Sequence, residues 1–365
     1  MDSIKVKDQP LQNGLEHLKK NEEKVAMQIV KLLQNQMIRM YEKQGKRQLR
    51  QIHPKMNGCV KGEFIIEKDL PGELKVGLFK EPVSFPCWIR FSNGNTTPLP
   101  DWEKDIRGCA LKIMNVPGAK IVEPEEGRGN QDFILMNTKT FVANNVRNFY
   151  QVLKLLIAPT TFFSVFSKIA LGIKNAPILV RGAKAKIKCN HPFEQNYYST
   201  VPFGFSDGNR AVKYAFIPSE NNELEYTDKK NEDFLRLNMK STLEKHEIVY
   251  DFFIQFQTDP KKMPIEDPVI DWNSPLIKMA TVRIPTQIFN TPEQNEFGDN
   301  LSFNSWHALP EHRPLGSINR ARKIIYGEMA DFRLKYNKVT QAEPQADGNF
   351  FTNTNLKTHD QSANY

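Results

Sequence analysis

Short runs of β-type residues separated by turn residues dominate the first three quarters of this 365-residue sequence. Gly-, Asn- and Pro-rich pieces, such as residues 93–95 and 117–118, lie between the runs. No regular alternation of strand and helix is present, which argues against a parallel βαβ sheet. We therefore predict an α+β fold with an antiparallel sheet or barrel. The predicted strands are 62–66, 86–91, 110–114, 131–135, 211–217, 246–257 and 279–284.

The other sequence patterns predict helices, and they indicate that helices and strands belong to a single domain. Apolar residues recur at three- and four-residue steps from 15 to 41, which indicates an amphipathic first helix. No internal repeat is present. The expected divisions are a flexible leader at 1–14, one domain at 15–340 with a helical insertion at about 151–190 and a last helix carrying Tyr326, and a flexible polar tail at 341–365.

Composition and charge exclude several classes of protein. No run of about 18 apolar residues is uninterrupted, so no membrane-spanning helix is predicted. The first residues lack the apolar core of a secretory signal, and the four cysteines are too far apart for a zinc knuckle. A reduced, cytoplasmic protein is therefore expected. The net charge of +8 comes without a recognition motif, so nucleic acid is not an expected partner.

Positive charge is concentrated in one part of the chain. Residues 133–193 contain no Asp or Glu and nine Lys and Arg residues. Within them, residues 153–188 combine strongly apolar runs with a cationic stretch. One interpretation is a buried helix pair with a basic connector. The other is a surface element that contacts an anionic membrane surface peripherally or admits a fatty acid.

Arg322, Tyr326 and Arg333 fall on one stripe of the predicted last helix, within about 40° of one another at about 100° per residue. Tyrosine normally titrates near 10, and a neighbouring guanidinium favours the phenolate. A ferric ion would favour the phenolate more strongly. Taken alone, the segment also fits a surface helix with solvated arginines.

Several motifs, in order along the chain, resemble those of the heme catalase superfamily. That superfamily has an Arg-x-x-His-Ala-Lys-Gly segment, an Arg-Phe-Ser strand, an Asp-Pro-Arg-Gly-x-Ala-x-Lys strand and an Asp-Leu-x-x-Asn-Asn segment. It ends with Arg-x-x-x-Tyr and an arginine seven residues later. The resemblance implies a catalase-like antiparallel β-barrel with flanking helices. The matching segments here are 50–55, 88–92, 105–112, 131–138 and 322–333.

The resemblance also implies a heme b cofactor, with iron, and roles for individual residues. Tyr326 would be the proximal iron ligand, kept anionic by Arg322, and His53 the distal acid–base group. The implied substrate is hydrogen peroxide or an organic hydroperoxide, with an electron donor as partner. Further heme-binding residues would be Arg50, Arg90 and Arg333 at the propionates, and Phe149 on the distal face.

Two positions depart from the superfamily pattern. Of its two adjacent asparagines, the first orients the peroxide, but Met136 stands there in this chain and Asn137 stands at the second. Either a one-residue shift brings Asn137 into the site as a catalytic residue, or a thioether replaces the amide. Pro54 replaces the alanine after His53 and removes a backbone donor. These departures put rapid hydrogen peroxide dismutation in doubt.

The segment 313–320 resembles the small catalase-related group, which includes heme peroxidases and the allene oxide synthase domain acting on fatty-acid hydroperoxides. In the synthases a threonine precedes the distal histidine, whereas Ile52 does so here. We expect a peroxidase- or catalase-type oxidoreductase. A lipid hydroperoxide lyase or dehydratase and a non-enzymatic heme-binding protein remain alternatives. The chain ends soon after Tyr326, so the interlocked tetramer of catalases is not assured, and a homo-oligomer stays open.

Overall fold

The computed structural model describes residues 16–41, 47–122, 129–157, 162–206, 209–340, 343–346 and 350–351. Nine strands occur in these residues: β1 (Met56–Ile66), β2 (Ser84–Asn93), β3 (Arg107–Ile113), β4 (Gln131–Met136), β5 (Tyr197–Tyr198), β6 (Phe203–Phe205), β7 (Arg210–Pro218), β8 (Ile248–Phe256) and β9 (Leu276–Ile284). Seven α-helices occur in them: α1 (Glu22–Tyr41), α2 (Val146–Ile157), α3 (Phe162–Lys174), α4 (Ala176–Ala185), α5 (Phe234–Leu243), α6 (Pro292–Asn300) and α7 (Gly316–Tyr336).

The strands form a closed antiparallel barrel. Their order is β5-β4-β3-β2-β1-β9-β8-β7-β6, and every described pairing is antiparallel. Strand β5 closes the barrel because Tyr198 pairs with Met136 of β4 on one side and with Ala215 of β7 on the other. Eight strands thus form the closed barrel, and β6 pairs with β7 as a ninth strand. The predicted α+β fold with an antiparallel barrel and flanking helices is confirmed.

Aromatic side chains fill the barrel interior. The ring of Phe252 on β8 lies 5.1 Å from Phe64 on β1, 4.9 Å from Phe133 on β4 and 5.5 Å from Tyr214 on β7. All four side chains are buried. Aromatic pairs at these distances contribute beyond the area that they bury. Since the barrel interior is packed, a large ligand has to bind outside it.

Helices α1, α2 and α7 form a second apolar layer beside the barrel. Val25, Ile29 and Leu33 recur at four-residue steps on α1 and are buried against Ala321 and Ile325 of α7. Helix α1 begins at Glu22 rather than near residue 15, and Asn21 before it has a left-handed backbone with φ of 71°.

An ionic cluster fixes the start of α7. Arg320 contacts Glu16 at 2.6 Å, Glu22 at 2.7 Å and Glu266 at 2.9 Å, measured from guanidinium nitrogen to carboxylate oxygen. Arg320 and Glu16 are buried. Three carboxylates around one guanidinium hold α7 against the segment before α1 and the loop that carries Glu266.

The strand predictions match β1–β4 and β7–β9, while β5 and β6, of two and three residues, were not predicted. The predicted leader, 1–14, lies outside the described residues. Of the predicted tail, only 343–346 and 350–351 are described, and there Glu343 is buried and pairs with Lys112 of β3 at 2.9 Å. None of the helices in the described part of the chain is long and apolar enough to cross a membrane.

Candidate functional site

A cavity of about 540 Å³ lies between one wall of the barrel and helices α1, α2, α4 and α7. Most of its lining is aliphatic or aromatic, with contributions from β2, β3 and β4 on the barrel side. The structure therefore gathers residues from position 33 to position 333 around one apolar space. Seven of the eight predicted site residues line it: Arg50, His53, Arg90, Phe149, Arg322, Tyr326 and Arg333.

The position of His53 is fixed by two neighbouring strands. Its backbone is left-handed, with φ of 64°, which is uncommon for a residue other than glycine. Arg90 of β2 donates to the His53 carbonyl oxygen at 3.1 Å, and Ser92 Oγ lies 3.2 Å from Nδ1. Gly108 of β3, the ladder partner of Ser92, leaves space for the ring, since a Cβ there would lie 2.5 Å from Nδ1. The imidazole is thus held in one place against the barrel.

Burial and positive charge keep His53 neutral. Burial is the main cause that lowers its pKa to about 3, and the guanidinium groups of Arg90, Arg50 and Arg322 lower it further. A neutral imidazole is able to accept a proton at physiological pH. His53 therefore has the protonation state that a general base requires.

Arg50, Arg90 and Arg333 bring positive charge to the cavity without a counterion. None of the three forms an ion pair with a carboxylate among the described residues, although Arg320 outside the cavity contacts three. Arg50 donates to carbonyl oxygens of Gly298, Asp299 and Leu301 at the end of α6, and Arg333 donates to the Asn300 carbonyl and to Ser302 Oγ. The Nε atoms of Arg90 and Arg333 have no hydrogen-bond partner among the residues that the structure describes.

Burial and the positive charges of their neighbours lower the pKa values of Arg50 and Arg333. Burial lowers the pKa of Arg50 well below its usual value, and the charges of Arg90 and Arg333 lower it further. Burial and the charge of Arg90 lower the pKa of Arg333 to about 10. Asp299 only partly offsets these effects. An uncompensated buried charge costs several kcal/mol, so a ligand with carboxylates would stabilise the cluster.

Helix α7 brings Arg322 and Tyr326 to the same cavity, one turn apart. The Arg322 guanidinium is buried and lies 5.3 Å from the centre of the Phe141 ring, and it donates to Asn319 Oδ1 at 3.5 Å. The Tyr326 hydroxyl makes no hydrogen bond with any residue that the structure describes. An oxygen that lacks a protein partner is available to a ligand.

Asn137 does not line the cavity. Its Oδ1 accepts the Arg107 N–H at 2.8 Å, and its Nδ2 donates to Gln195 Oε1 at 3.4 Å. The cavity is lined instead by Met136, whose ladder partner on β3 is Gly108. The sequence left open whether the Asn137 amide or the Met136 thioether lines the cavity, and in the structure the thioether does. The position of Asn137 does not support the catalytic role expected for it, because both ends of its amide are bonded to the protein away from the cavity.

Comparison with solved structures finds the same architecture in catalases. A bacterial catalase aligns with a TM-score of 0.57 at 17% identity over 80% of this chain and 59% of that chain. A fungal catalase aligns with a TM-score of 0.60 at 15% identity over 89% and 71%. Catalase A from Saccharomyces cerevisiae aligns with a TM-score of 0.59 at 15% identity over 89% and 72%. The chain has the catalase fold.

These alignments establish the fold alone, because the sequence identities are low. The chain spans 59% of the length of the bacterial catalase. No protein-family model matches the sequence, and no curated protein matches it either.

Within this catalase fold, Ser92 and Gly108 support His53. Both stand in the motif segments of the sequence, but the motifs gave neither of them a role. Ser92 lies two residues after Arg90 on β2, so both side chains are on the same face of the strand. Gly108 is opposite Ser92 in the next strand. The alternation along β2 was a signal for Ser92, but the role of Gly108 depends on the pairing of β2 with β3. Phe149, on α2, packs edge-on against Phe141 with ring centres 5.2 Å apart.

Proposed function

We propose that this chain binds heme b in the cavity and acts as an oxidoreductase on hydrogen peroxide or organic hydroperoxides. One observation carries the proposal: Arg50, Arg90 and Arg333, which form no ion pair with any described carboxylate, share an apolar cavity with His53 and Tyr326. A porphyrin fits both halves of this description, since its body is apolar and its two carboxylates suit planar guanidinium donors. The catalase fold supports the same choice.

Residues of helix α7 would bind the iron of the cofactor. Heme would supply an iron centre that reacts with peroxides. Tyr326 would hold that iron through its phenolate oxygen. Arg322, one turn earlier on the same helix, would place a positive charge on the same side of the cavity as this negatively charged ligand oxygen.

His53 would move the proton of the peroxide. Its neutral imidazole would accept the proton from one peroxide oxygen and deliver it to the other, so that the O–O bond breaks heterolytically. The contacts of Arg90 and Ser92 to His53 would keep the ring in place during both transfers. Because Met136 offers a thioether where an amide would orient hydrogen peroxide, we expect slow dismutation and a preference for larger hydroperoxides.

Replacing Tyr326 with Phe tests this proposal. The full chain is expressed with added heme, and its Soret absorption and its peroxide-dependent oxidation of a donor are measured. We expect Tyr326→Phe to lose stable ferric heme binding and activity. Tyr336→Phe, on the exposed end of the same helix, is the matched control and should retain both. Unchanged heme binding and activity in Tyr326→Phe, with unchanged circular dichroism, would refute the proposal.

A second candidate reaction is the donor-free rearrangement of a lipid hydroperoxide. It is favoured by the apolar extension of the cavity between α2 and α4, which reaches Lys186, a cation suited to a fatty-acid carboxylate. The segment 313–320 supports placing the chain in the small catalase-related group that contains such enzymes, while Ile52 argues against a dedicated synthase. Incubating the heme-loaded protein with a polyunsaturated fatty-acid hydroperoxide, with and without a donor, separates the two reactions.

A further inference from the structure

The cavity opens to the surface at one group of helices. Of the described residues that line it, the exposed ones are Leu156 at the end of α2, Ala183 on α4 and Lys186 just after α4. The other lining residues are buried or half-buried. The mouth therefore lies between α2 and α4.

Large apolar side chains are exposed on the helices around this mouth. Ile169 and Ile173, one turn apart on α3, are 56% and 74% exposed, and Leu156 is 66% exposed. Helix α3 packs on α2 where Gly172 faces Leu155. Five of the fourteen exposed large hydrophobic side chains of the described residues fall between positions 156 and 187: Leu156, Ile169, Ile173, Val180 and Ile187.

Unpaired lysines lie among these apolar side chains. Residues 133–193 contain no carboxylate, so the segment has no internal partner for them. Some exposed lysines elsewhere in the described chain form ion pairs, as Lys240 does with Glu244 and Lys245 with Glu225. Between positions 153 and 188, the exposed lysines that form no ion pair or hydrogen bond with any described residue are Lys154, Lys174, Lys184, Lys186 and Lys188. Together with the five apolar side chains they make up what we call the α2–α4 surface.

We propose that the α2–α4 surface docks on an anionic phospholipid bilayer, with the mouth of the cavity facing the lipid. Apolar side chains surrounded by lysines are the composition of helices that lie in a membrane interface. Each lysine near an anionic leaflet contributes about 1 kcal/mol of attraction, which corresponds to about fivefold in binding. A second copy of the chain fits this surface poorly, because a two-fold contact would bring two cationic faces together. The proposal is independent of the cofactor and of the reaction.

Vesicle binding of the full chain tests the role of charge. Flotation is measured with vesicles of phosphatidylcholine and with vesicles in which a third of it is replaced by phosphatidylglycerol. We expect binding to the anionic vesicles only, and a loss of about 30-fold in Lys154→Gln/Lys184→Gln. Lys75→Gln/Lys80→Gln, which removes two exposed lysines outside the surface, is the matched control and should bind as the parent chain does.

Apolar substitutions distinguish membrane insertion from simple charge attraction. Ile169→Ser/Ile173→Ser should weaken binding to anionic vesicles by about 100-fold or more, since the burial of each isoleucine contributes about 1.5 kcal/mol or more and the variant removes two. Val83→Ser/Ile270→Ser, at exposed sites elsewhere, should have no effect. Equal binding to both kinds of vesicle, binding unchanged by the α3 substitutions, or a dimer that these substitutions dissociate would overturn the proposal.

Discussion

The imidazole of His53 and the α-carbon of Gly108 are so close that a methyl group on residue 108 would lie 2.5 Å from His53 Nδ1. A contact of that length does not occur between relaxed groups, so either the ring or strand β3 must shift. Gly108 is therefore part of the site although it carries no side chain.

Gly108→Ala should slow the peroxide reaction while leaving heme bound. The added methyl group moves the imidazole, and a displacement of about 1 Å at a catalytic group costs about 10²-fold. Stopped-flow absorbance of the heme-loaded protein after mixing with peroxide measures the rate. Gly72→Ala, where an added Cβ meets nothing within 4 Å, is the control. An unchanged rate in Gly108→Ala would show that the ring position does not matter.

His53→Ala should retain the Soret band and slow O–O cleavage by about 10²–10⁴-fold, the range for a lost acid–base group. The surface residue His246, which contacts Glu223 and Glu225, provides the control His246→Ala. The same stopped-flow measurement applies. If the peroxide reaction of His53→Ala is as fast as that of the parent chain, His53 does not transfer the proton.

Acid should destabilise the heme-free protein through His53. Its pKa is about 3 in the folded chain and near 6.5 when unfolded, so between these values the unfolded state binds more protons. Stability therefore falls as the pH falls from about 6.5 to about 3. His53→Gln removes this contribution, and urea denaturation at several pH values should show a smaller loss. His191 and His312 have pKa values that burial lowers to about 4 and about 3, so part of the decrease in stability at acidic pH should remain in this variant.

Arg333→Met should have opposite effects on stability and on heme binding. In the heme-free protein it removes a buried charge that forms no ion pair within the described part of the chain, so thermal unfolding should occur at the same or a higher temperature. Heme affinity should fall by about 1.5–3 kcal/mol, the contribution of a hydrogen bond to a charged group. Arg320→Met is the contrast, because it removes a guanidinium that three carboxylates contact, and it should destabilise by about 3–5 kcal/mol. A marked loss of stability in heme-free Arg333→Met would contradict the idea of an anion site.

The parts of this structure that could be predicted from the residues alone are those that depend on local periodicity, whereas Arg50, His53 and Arg90 were predicted through the resemblance to catalases. The strands with clear β patterning and the stripe of Arg322, Tyr326 and Arg333 on one helix are of the first kind. Strands β5 and β6 are too short to show a period. That the cavity arginines form no ion pair with a described carboxylate could not be predicted, because ion pairs such as Arg320 with Glu16 join positions far apart in the chain.

The choice between Met136 and Asn137 shows the same limit at a single residue. Neighbouring residues of a strand point to opposite faces, so a register shift of one position exchanges the side chain that reaches the cavity. The pairing of Gly108 with Met136 decides this register, and it lies between two strands rather than within one.

Met136→Asn should restore an amide to the cavity wall. If the thioether limits hydrogen peroxide dismutation, oxygen release by the heme-loaded variant should increase, because an amide N–H or carbonyl is able to orient the small polar substrate and a thioether is only a weak acceptor. Met136→Leu keeps the volume without a polar atom and is the matched control. Oxygen release from hydrogen peroxide is measured with an electrode, and donor oxidation is measured with a larger hydroperoxide. The two measurements distinguish an effect on the orientation of hydrogen peroxide from an effect on substrate access to the cavity. An increase in both variants would mean that loss of the thioether is sufficient and that the amide is not required, and no increase in Met136→Asn would mean that the thioether is not the cause of slow dismutation.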